Sequence, residues 1–320
     1  MKFVNDIIGK ELKTFETKFS EAVKSQTPLL DSIMKYIIKR KGKQLRPMFV
    51  FLSARLHGEV NESTYRAAAL VEMLHTATLV HDDVVDESFE RRGFFSINAV
   101  WKNKIAVLVG DYLLSKGLLL STTNEDFEHL HILSEAVRQM SEGELLQIEK
   151  SRKLNLDENV YFEIIKNKTA SLLSSACGVG AYSATQNKDI TQQMKMFGEK
   201  VGIAFQIKDD LFDYGTEDIG KPTGNDIQEK KLTLPLIYTL NNIDKKTAKE
   251  IIYIIKNENK NKQKVQHVVD IVTKNGGIKY AQQCMVQYRD DALKILYTFP
   301  NSPVRAALEE LVRFTTDRKY

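Results

Sequence analysis

Cysteine is nearly absent from this sequence: Cys177 and Cys284 are the only two among 320 residues, each set among small or apolar neighbours. That excludes a disulfide framework and a thiolate metal site, and fits reduced core thiols in a reducing cytoplasm. Proline is also sparse, at 6, and glycine stands at 16, so little interrupts helix. Charge of one sign is missing too. A formal net charge of +4 gives no general affinity for polyanions, and we expect no nucleic-acid partner. Long apolar runs are lacking: the most apolar segment, Ile105 to Leu120, is broken by Asp111 and Lys116 and reads as a buried helix, not a membrane span. Residues 1–23 form an amphipathic pattern with charges throughout, without the continuous apolar stretch of a secretory signal.

What is present is apolar periodicity. Hydrophobic residues make up 42% and charged residues 28%, enough for a substantial core in a soluble protein. Leu, Ile, Val and Ala recur at three- and four-residue steps, and few segments alternate like strands, so the expected class is all-α. The pattern predicts helices over 3–20, 28–40, 46–57, 62–88, 96–100, 104–122, 126–149, 157–185, 190–213, 231–241, 245–257, 262–274, 276–297 and 302–318. No Ser/Gly/Pro linker divides the chain, which predicts one domain over 1–320.

Two aspartate triplets share one spacing: Asp82, Asp83 and Asp86 in HDDVVDE, and Asp209, Asp210 and Asp213 in KDDLFDY. Each reads DDxxD inside a helical pattern, where positions i and i+4 place two carboxylates on one face. An isolated DDxxD is ordinarily a solvated face. Here Leu79, Val80, Val84 and Val85 surround the first triplet and Ile207, Leu211 and Phe212 the second, so both lie on helices otherwise built for burial. Carboxylates clustered in such surroundings repel one another unless cations neutralise them. Asp290 and Asp291 make an internal control: Lys294 follows at i+4 from the first, and that pair reads as surface.

Oxygen donors without Cys or a His cluster suit Mg²⁺, which binds through one or two carboxylates and completes its shell with waters and substrate phosphates. A phosphorylated substrate is therefore expected. Basic residues agree: Lys43 and Arg46 in KGKQLRP, Arg91 and Arg92 after the first triplet, Lys168 beside Thr169, and Lys221 and Lys231 after the second. Taken singly, each has a plainer explanation. The run from Lys39 to Lys43 could be a solvated turn, Arg91 and Arg92 could neutralise a helix end before Gly93, and His75 could be a core histidine.

Together, GKQLRP, HTATLVHDDVVDESFERRG, VGDYLLS, NKTASLLSSACGVGA, FQIKDDLFDY and GKPTGNDIQEKKLTLPLI resemble the all-trans polyprenyl diphosphate synthases, over nearly the whole chain. The resemblance implies an all-α, single-domain bundle around a deep central cavity, the isoprenoid synthase fold, with the two triplets facing across its mouth. It implies that about three Mg²⁺ ions hold an allylic diphosphate such as farnesyl diphosphate. By position Asp82, Asp86 and Asp209 would be direct ligands, with Asp83, Asp210 and Asp213 supporting. Lys43, Arg46, His75 and Arg92 would hold isopentenyl diphosphate, and Arg91, Lys168, Thr169, Gln206, Lys221 and Lys231 the allylic partner. The sequence departs from the family pattern at Lys41, Gln44 and Lys208, the last reading as a surface lysine.

In such enzymes the allylic C–O bond ionises, the isopentenyl double bond attacks the cation, and a proton is lost, giving a product five carbons longer; apolar walls exclude water. Ala77 and Thr78 lie just below the first triplet, where short-chain members place aromatic floors. Their small size implies a long product, about seven or eight isoprene units (C35–C40), of the kind used for quinone tails. Such a product would be retained by about 0.8 kcal/mol per buried CH₂, so transient membrane contact is expected to assist release. A homodimer is also implied. Against this stand a terpene cyclase, whose second metal motif mixes Asn, Ser or Thr with acids, an HD-type phosphohydrolase using His75, His81 and Asp82, and a regulatory subunit of a two-chain synthase, which would lack intact motifs.

Overall fold

Capping side chains start many of the helices. The Asn61 carboxamide oxygen accepts the Thr64 N–H at 3.0 Å while the Asn61 N–H donates to Thr64 Oγ1 at 3.3 Å, a reciprocal cap at the head of the Glu62–Val85 helix. Ser96, Asp157, Asp244 and Asn261 cap four more by accepting backbone N–H groups with their side-chain oxygens. The computed structural model describes residues 1–39, 42–91, 93–153, 157–215 and 224–317, with backbone only for Arg91, Arg152 and Lys153. Within these the helices are α1 (Lys2–Ala22), α2 (Pro28–Lys39), α3 (Leu45–His57), α4 (Glu62–Val85), α5 (Ile97–Thr123), α6 (Phe127–Lys153), α7 (Glu158–Ile165), α8 (Ser171–Thr185), α9 (Lys188–Phe212), α10 (Asn225–Gln228), α11 (Leu234–Asn242), α12 (Lys245–Asn257), α13 (Lys262–Lys274), α14 (Gly277–Leu296) and α15 (Pro303–Asp317). The all-α expectation is met. The strands among the described residues form one two-residue ladder, β1 (Glu90–Arg91) against β2 (Phe94–Phe95), antiparallel with Glu90 opposite Phe95.

The chain forms two compact units. The first comprises Met1–Val137, Ser175–Lys195 and Asn301–Leu308. Its core includes Phe15, Phe49, Phe51, Leu52, Leu70, Met73 and Leu113, all essentially without solvent contact. Phe51 packs edge-on to Phe15 at 5.8 Å and against Tyr65 at 5.3 Å. Glycines allow α5 to lie close on α4: a Cβ on Gly117 would come within 2.7 Å of Leu70 Cδ1, and one on Gly110 within 2.0 Å of His81 Nε2. The second unit comprises Arg138–Ser174, Met196–Pro300 and Glu309–Tyr320. Ile203, Ala204, Ile207 and Leu211 of α9 pack there with Leu234, Leu236, Ile251, Ile254, Val265, Val268 and Ala281.

Helix α5 corrects one expectation. Among the described helices it is long and apolar enough to cross a membrane, yet only 33% of its most apolar window is buried. The segment Ile105 to Leu120 is therefore not a buried helix. Val109, Gly110, Leu113 and Gly117 turn inward, whereas Val107, Leu108, Leu118 and Leu119 are 41–60% exposed. Other differences concern boundaries and unexpected elements. Helix α4 stops at Val85, three residues early, because Glu87 takes φ 51. The two helices expected over 96–100 and 104–122 form one element broken at Lys102, whose φ of 73 and ψ of 159 are not helical. The stretch expected as one helix over 157–185 contains a π-helical turn, Lys166–Ala170, and α10 was not expected.

Candidate active site

Both acid triplets sit where their helices end. Asp82 and Asp83 occupy the last turn of α4 and Asp86 is its C-terminal cap, its N–H donating to the Asp82 carbonyl at 2.8 Å. Asp209 and Asp210 close α9, with Asp213 just beyond it. Neither helix carries a basic residue in its last turn. Helix carbonyls make that end the negative pole of the macrodipole, so clustered carboxylates are disfavoured there until a cation arrives. The three acids of a set also differ from one another. Asp82 is half-buried and Asp86 exposed, one turn apart on α4, while Asp83 is buried. The Asp83 carbonyl accepts from Asn98 Nδ2 at 3.1 Å and from the Ser88 N–H at 2.9 Å, which ties the start of α5 to the end of α4.

In the second unit Asp209 is half-buried and Asp210 only 6% exposed. Both Asp210 oxygens are occupied, Oδ2 by the Tyr161 hydroxyl at 2.7 Å and Oδ1 by Gln206 Nε2 at 2.8 Å. Burial, and secondarily Asp226, pushes the Asp210 carboxyl up to about 8. The Asp213 carboxylate is a local anchor: its oxygens accept the N–H groups of Asn225 at 2.8 Å and Asp226 at 3.1 Å, fastening α10 to the end of α9. Its carboxyl is raised by burial against these hydrogen bonds. Asp226 is pushed up to about 6, by burial and then by Asp213.

The cationic residues fall into local pairs. Arg46, on the first turn of α3, lies with Nη1 2.8 Å from His75 Nε2 of α4. Lys43 is exposed, and Gln44 before α3 holds a left-handed φ of 52. The π turn presents Lys168, ion-paired with Glu144 of α6, and Thr169, whose hydroxyl donates to Gln206 Oε1 at 2.7 Å. A Cβ on Gly143 would meet the Lys168 nitrogen at 2.9 Å, so only glycine lets α6 approach this turn so closely. Lys231 pairs with Glu229 at 2.5 Å. Lys208 is half-buried, with its ammonium 5.0 Å from the Phe212 ring centre, rather than a free surface lysine. Lys41, Arg92 and Lys221 lie outside the described residues, as does the side chain of Arg91.

Sequence reasoning missed Tyr161, Asn98 and Asp226. Asp226 lay within the quoted GNDIQ run, but Tyr161 and Asn98 carry no sequence signal and are found by their bonds to Asp210 and Asp83. Among the described residues, no three or more His, Cys, Asp or Glu side chains gather as a ready metal cage. The donors that exist are all oxygen, one or two available carboxylates at each helix end. That set fits Mg²⁺, whose remaining ligands come from water and phosphate.

The family model described as polyprenyl synthetase matches residues 27–272. Octaprenyl diphosphate synthase of Escherichia coli (strain K12) is 32% identical over 317 residues, covering 98% of each chain. A decaprenyl diphosphate synthase from Rhodobacter capsulatus superposes with a TM-score of 0.93 at 34% identity, covering 98% of both chains. A polyprenyl synthase from Caulobacter crescentus CB15, solved with calcium and isoprenyl diphosphate, gives 0.92 at 33% identity, covering 100% of this chain and 98% of that one. The chain belongs to the polyprenyl synthetase family and is a prenyltransferase with the isoprenoid synthase fold.

Proposed function

We propose that this chain condenses an allylic diphosphate such as farnesyl diphosphate with successive isopentenyl diphosphates, giving a long all-trans polyprenyl diphosphate of about C35–C40 for quinone side chains. The observation that carries this reading is the pair of acid triplets at the negative ends of α4 and α9, each without a basic residue in the last helical turn. Asp82, Asp86 and Asp209 are the groups that would hold magnesium, with Asp83, Asp210 and Asp213 as their support. When bound there, about three Mg²⁺ ions would neutralise the charge developing on the departing diphosphate.

The protein's own groups do the rest. Lys168, Thr169, Gln206, Lys221, Lys231 and Arg91 belong to the allylic diphosphate, as point charges and donors that strengthen as the C–O bond ionises. Lys43, Arg46, His75 and Arg92 belong to isopentenyl diphosphate. The Arg46–His75 pair orients the planar guanidinium, whose fork of donors suits two oxygens of one phosphate. In this reading the chain acts as one catalytic domain around a deep apolar cavity that keeps water from the cation.

The exposed aliphatic stripe of α5, from Val107 through Leu108 to Leu118 and Leu119, supports a homodimer that covers it. The enzyme works in the cytoplasm and touches membranes only transiently, to discharge product. Incubating the purified chain with Mg²⁺, farnesyl diphosphate and labelled isopentenyl diphosphate, followed by chromatography of the dephosphorylated lipid, tests the reading. We expect a ladder ending at long products, abolished by a chelator; the absence of any elongated lipid would reject it.

A further inference from the structure

We propose that Tyr161 is a positioning residue for the second acid triplet, fixing the Asp210 carboxylate so that Asp209 and the Lys168–Thr169 turn keep a set spacing. This rests on reading the triplet as a magnesium–diphosphate site. Tyr161 belongs to α7 and is only 3% exposed. Its hydroxyl donates to Asp210 Oδ2 at 2.7 Å, while Gln206, one turn earlier on α9, donates to Oδ1 at 2.8 Å. Gln206 in turn accepts from the Thr169 hydroxyl at 2.7 Å. The bonds form one directed series from Thr169 through Gln206 to Asp210, with Tyr161 donating from the other side.

Three elements, α7, the π turn that follows it and α9, are thereby locked together through a single buried carboxylate. The direction of donation matters. The Thr169 proton is committed to Gln206 Oε1 and the Gln206 amide N–H to Asp210, so turning the amide over would break both bonds at once. Among the described residues, the phenol is the hydrogen-bond donor to Asp210 Oδ2. Without that hydroxyl the buried carboxylate is held at Oδ1 alone, by Gln206, and a shift of its plane carries Gln206 and Thr169 with it. Asp209, the neighbouring residue on the same helical turn, then loses the fixed frame from which it would reach a metal. Outer groups of this kind set ligand orientation as much as the ligands do.

Tyr214 supplies the comparison. It is equally buried, at 3% exposure, but its hydroxyl meets the neutral Thr233 hydroxyl at 2.7 Å, not an acid. Each of Y161F and Y214F deletes one buried phenolic oxygen. The test measures Mg²⁺ titrations of the full chain with inorganic pyrophosphate present, read as the rise in melting temperature, alongside the Mg²⁺ midpoint for prenyl transfer. We expect Y161F to shift the Mg²⁺ midpoint upward by roughly ten-fold or more, and Y214F to lower the melting temperature without moving that midpoint. A midpoint in Y161F equal to that of the unaltered chain overturns the assignment. A fluorotyrosine at position 161, which keeps ring and hydroxyl, gives a second measurement should Y161F not fold. Its fluorine resonance should move on adding Mg²⁺ with pyrophosphate, and a static resonance would overturn the proposal. If the unaltered chain shows no Mg²⁺–pyrophosphate response at all, it is the functional reading that fails.

Discussion

Lys102, near the start of α5, occupies φ 73 and ψ 159, a region of backbone space that is essentially glycine's. A side chain held there costs on the order of 1–3 kcal/mol. Glycine at this position would remove the clash of the Cβ with neighbouring backbone and return about 0.5–1 kcal/mol through its greater freedom when unfolded. K102G should therefore stabilise the protein by roughly 0.5–2 kcal/mol. At the size of each compact unit that corresponds to about 2–4 °C in Tm per kcal/mol. K102A separates strain from charge, since it discards the exposed ammonium but keeps the Cβ. Urea denaturation of the three proteins, with midpoint and slope compared, is the assay. The expected order is K102G above the unaltered chain, with K102A close to the latter. If K102A gains as much as K102G, the lysine charge is responsible and the strain argument is wrong. If K102G loses stability, the break in α5 is held by contacts that glycine relaxes.

Three further outcomes follow from the site. Without metal, burial holds the Asp210 and Asp226 carboxyls up at about 8 and about 6 against 3.8 unfolded, so the folded state binds more protons than the unfolded one across that window. Stability should then fall as pH rises from about 4 to 8 and recover on adding Mg²⁺ with pyrophosphate; calorimetry showing a rise instead would contradict the sign. Thr78 is half-exposed whereas Ala77 has no exposure at all, so T78F should shorten the product while A77F chiefly destabilises, checked by lipid chromatography and melting. Detergent or lipid vesicles should raise the multiple-turnover rate and leave a single turnover unchanged; equal effects on both would argue against slow product release.

The helices were legible because their apolar faces repeat at helical spacing and their starts carry caps such as Asn61 and Asp157. Even the gap left between 100 and 104 marks the true break at Lys102. The control differs in detail: Lys294 reaches Asp291 at 2.7 Å, three residues back, Arg289 takes Asp290, and both aspartates are half-buried although each has a cation beside it. Both cysteines are free, and burial pushes the Cys177 thiol up to about 12. The π turn escaped notice because one extra residue per turn leaves the apolar pattern nearly unchanged over five residues. The solvent face of α5 was illegible for a different reason: a helix apolar on all sides gives no sign of which face packs within its own unit. Tyr161 was invisible because a phenol seven residues before Lys168 gains its meaning only from Asp210, on a helix far along the chain.

The placement of the acids explains why an isolated DDxxD and this pair differ physically. A carboxylate near the first turn of a helix is stabilised by the macrodipole, and the same group in the last turn is disfavoured. At the end of α4 the chain puts Asp82, Asp83 and Asp86 together, and at the end of α9 it puts Asp209 and Asp210 with Asp213 following, in each case without a lysine or arginine in that turn. Asp210 and Asp213 are also used by the fold, through Tyr161 and Gln206 and through the N–H groups of Asn225 and Asp226, but the pole of each helix and the neighbouring acids work against the cluster. A divalent cation removes that cost, because one ion cancels both the mutual repulsion and the pole of the helix. Substituting Asp82 with Asn should accordingly stabilise the metal-free protein while removing metal-dependent turnover. A D82N protein that loses stability without metal would show that the carboxylate is held by the fold rather than offered to a cation.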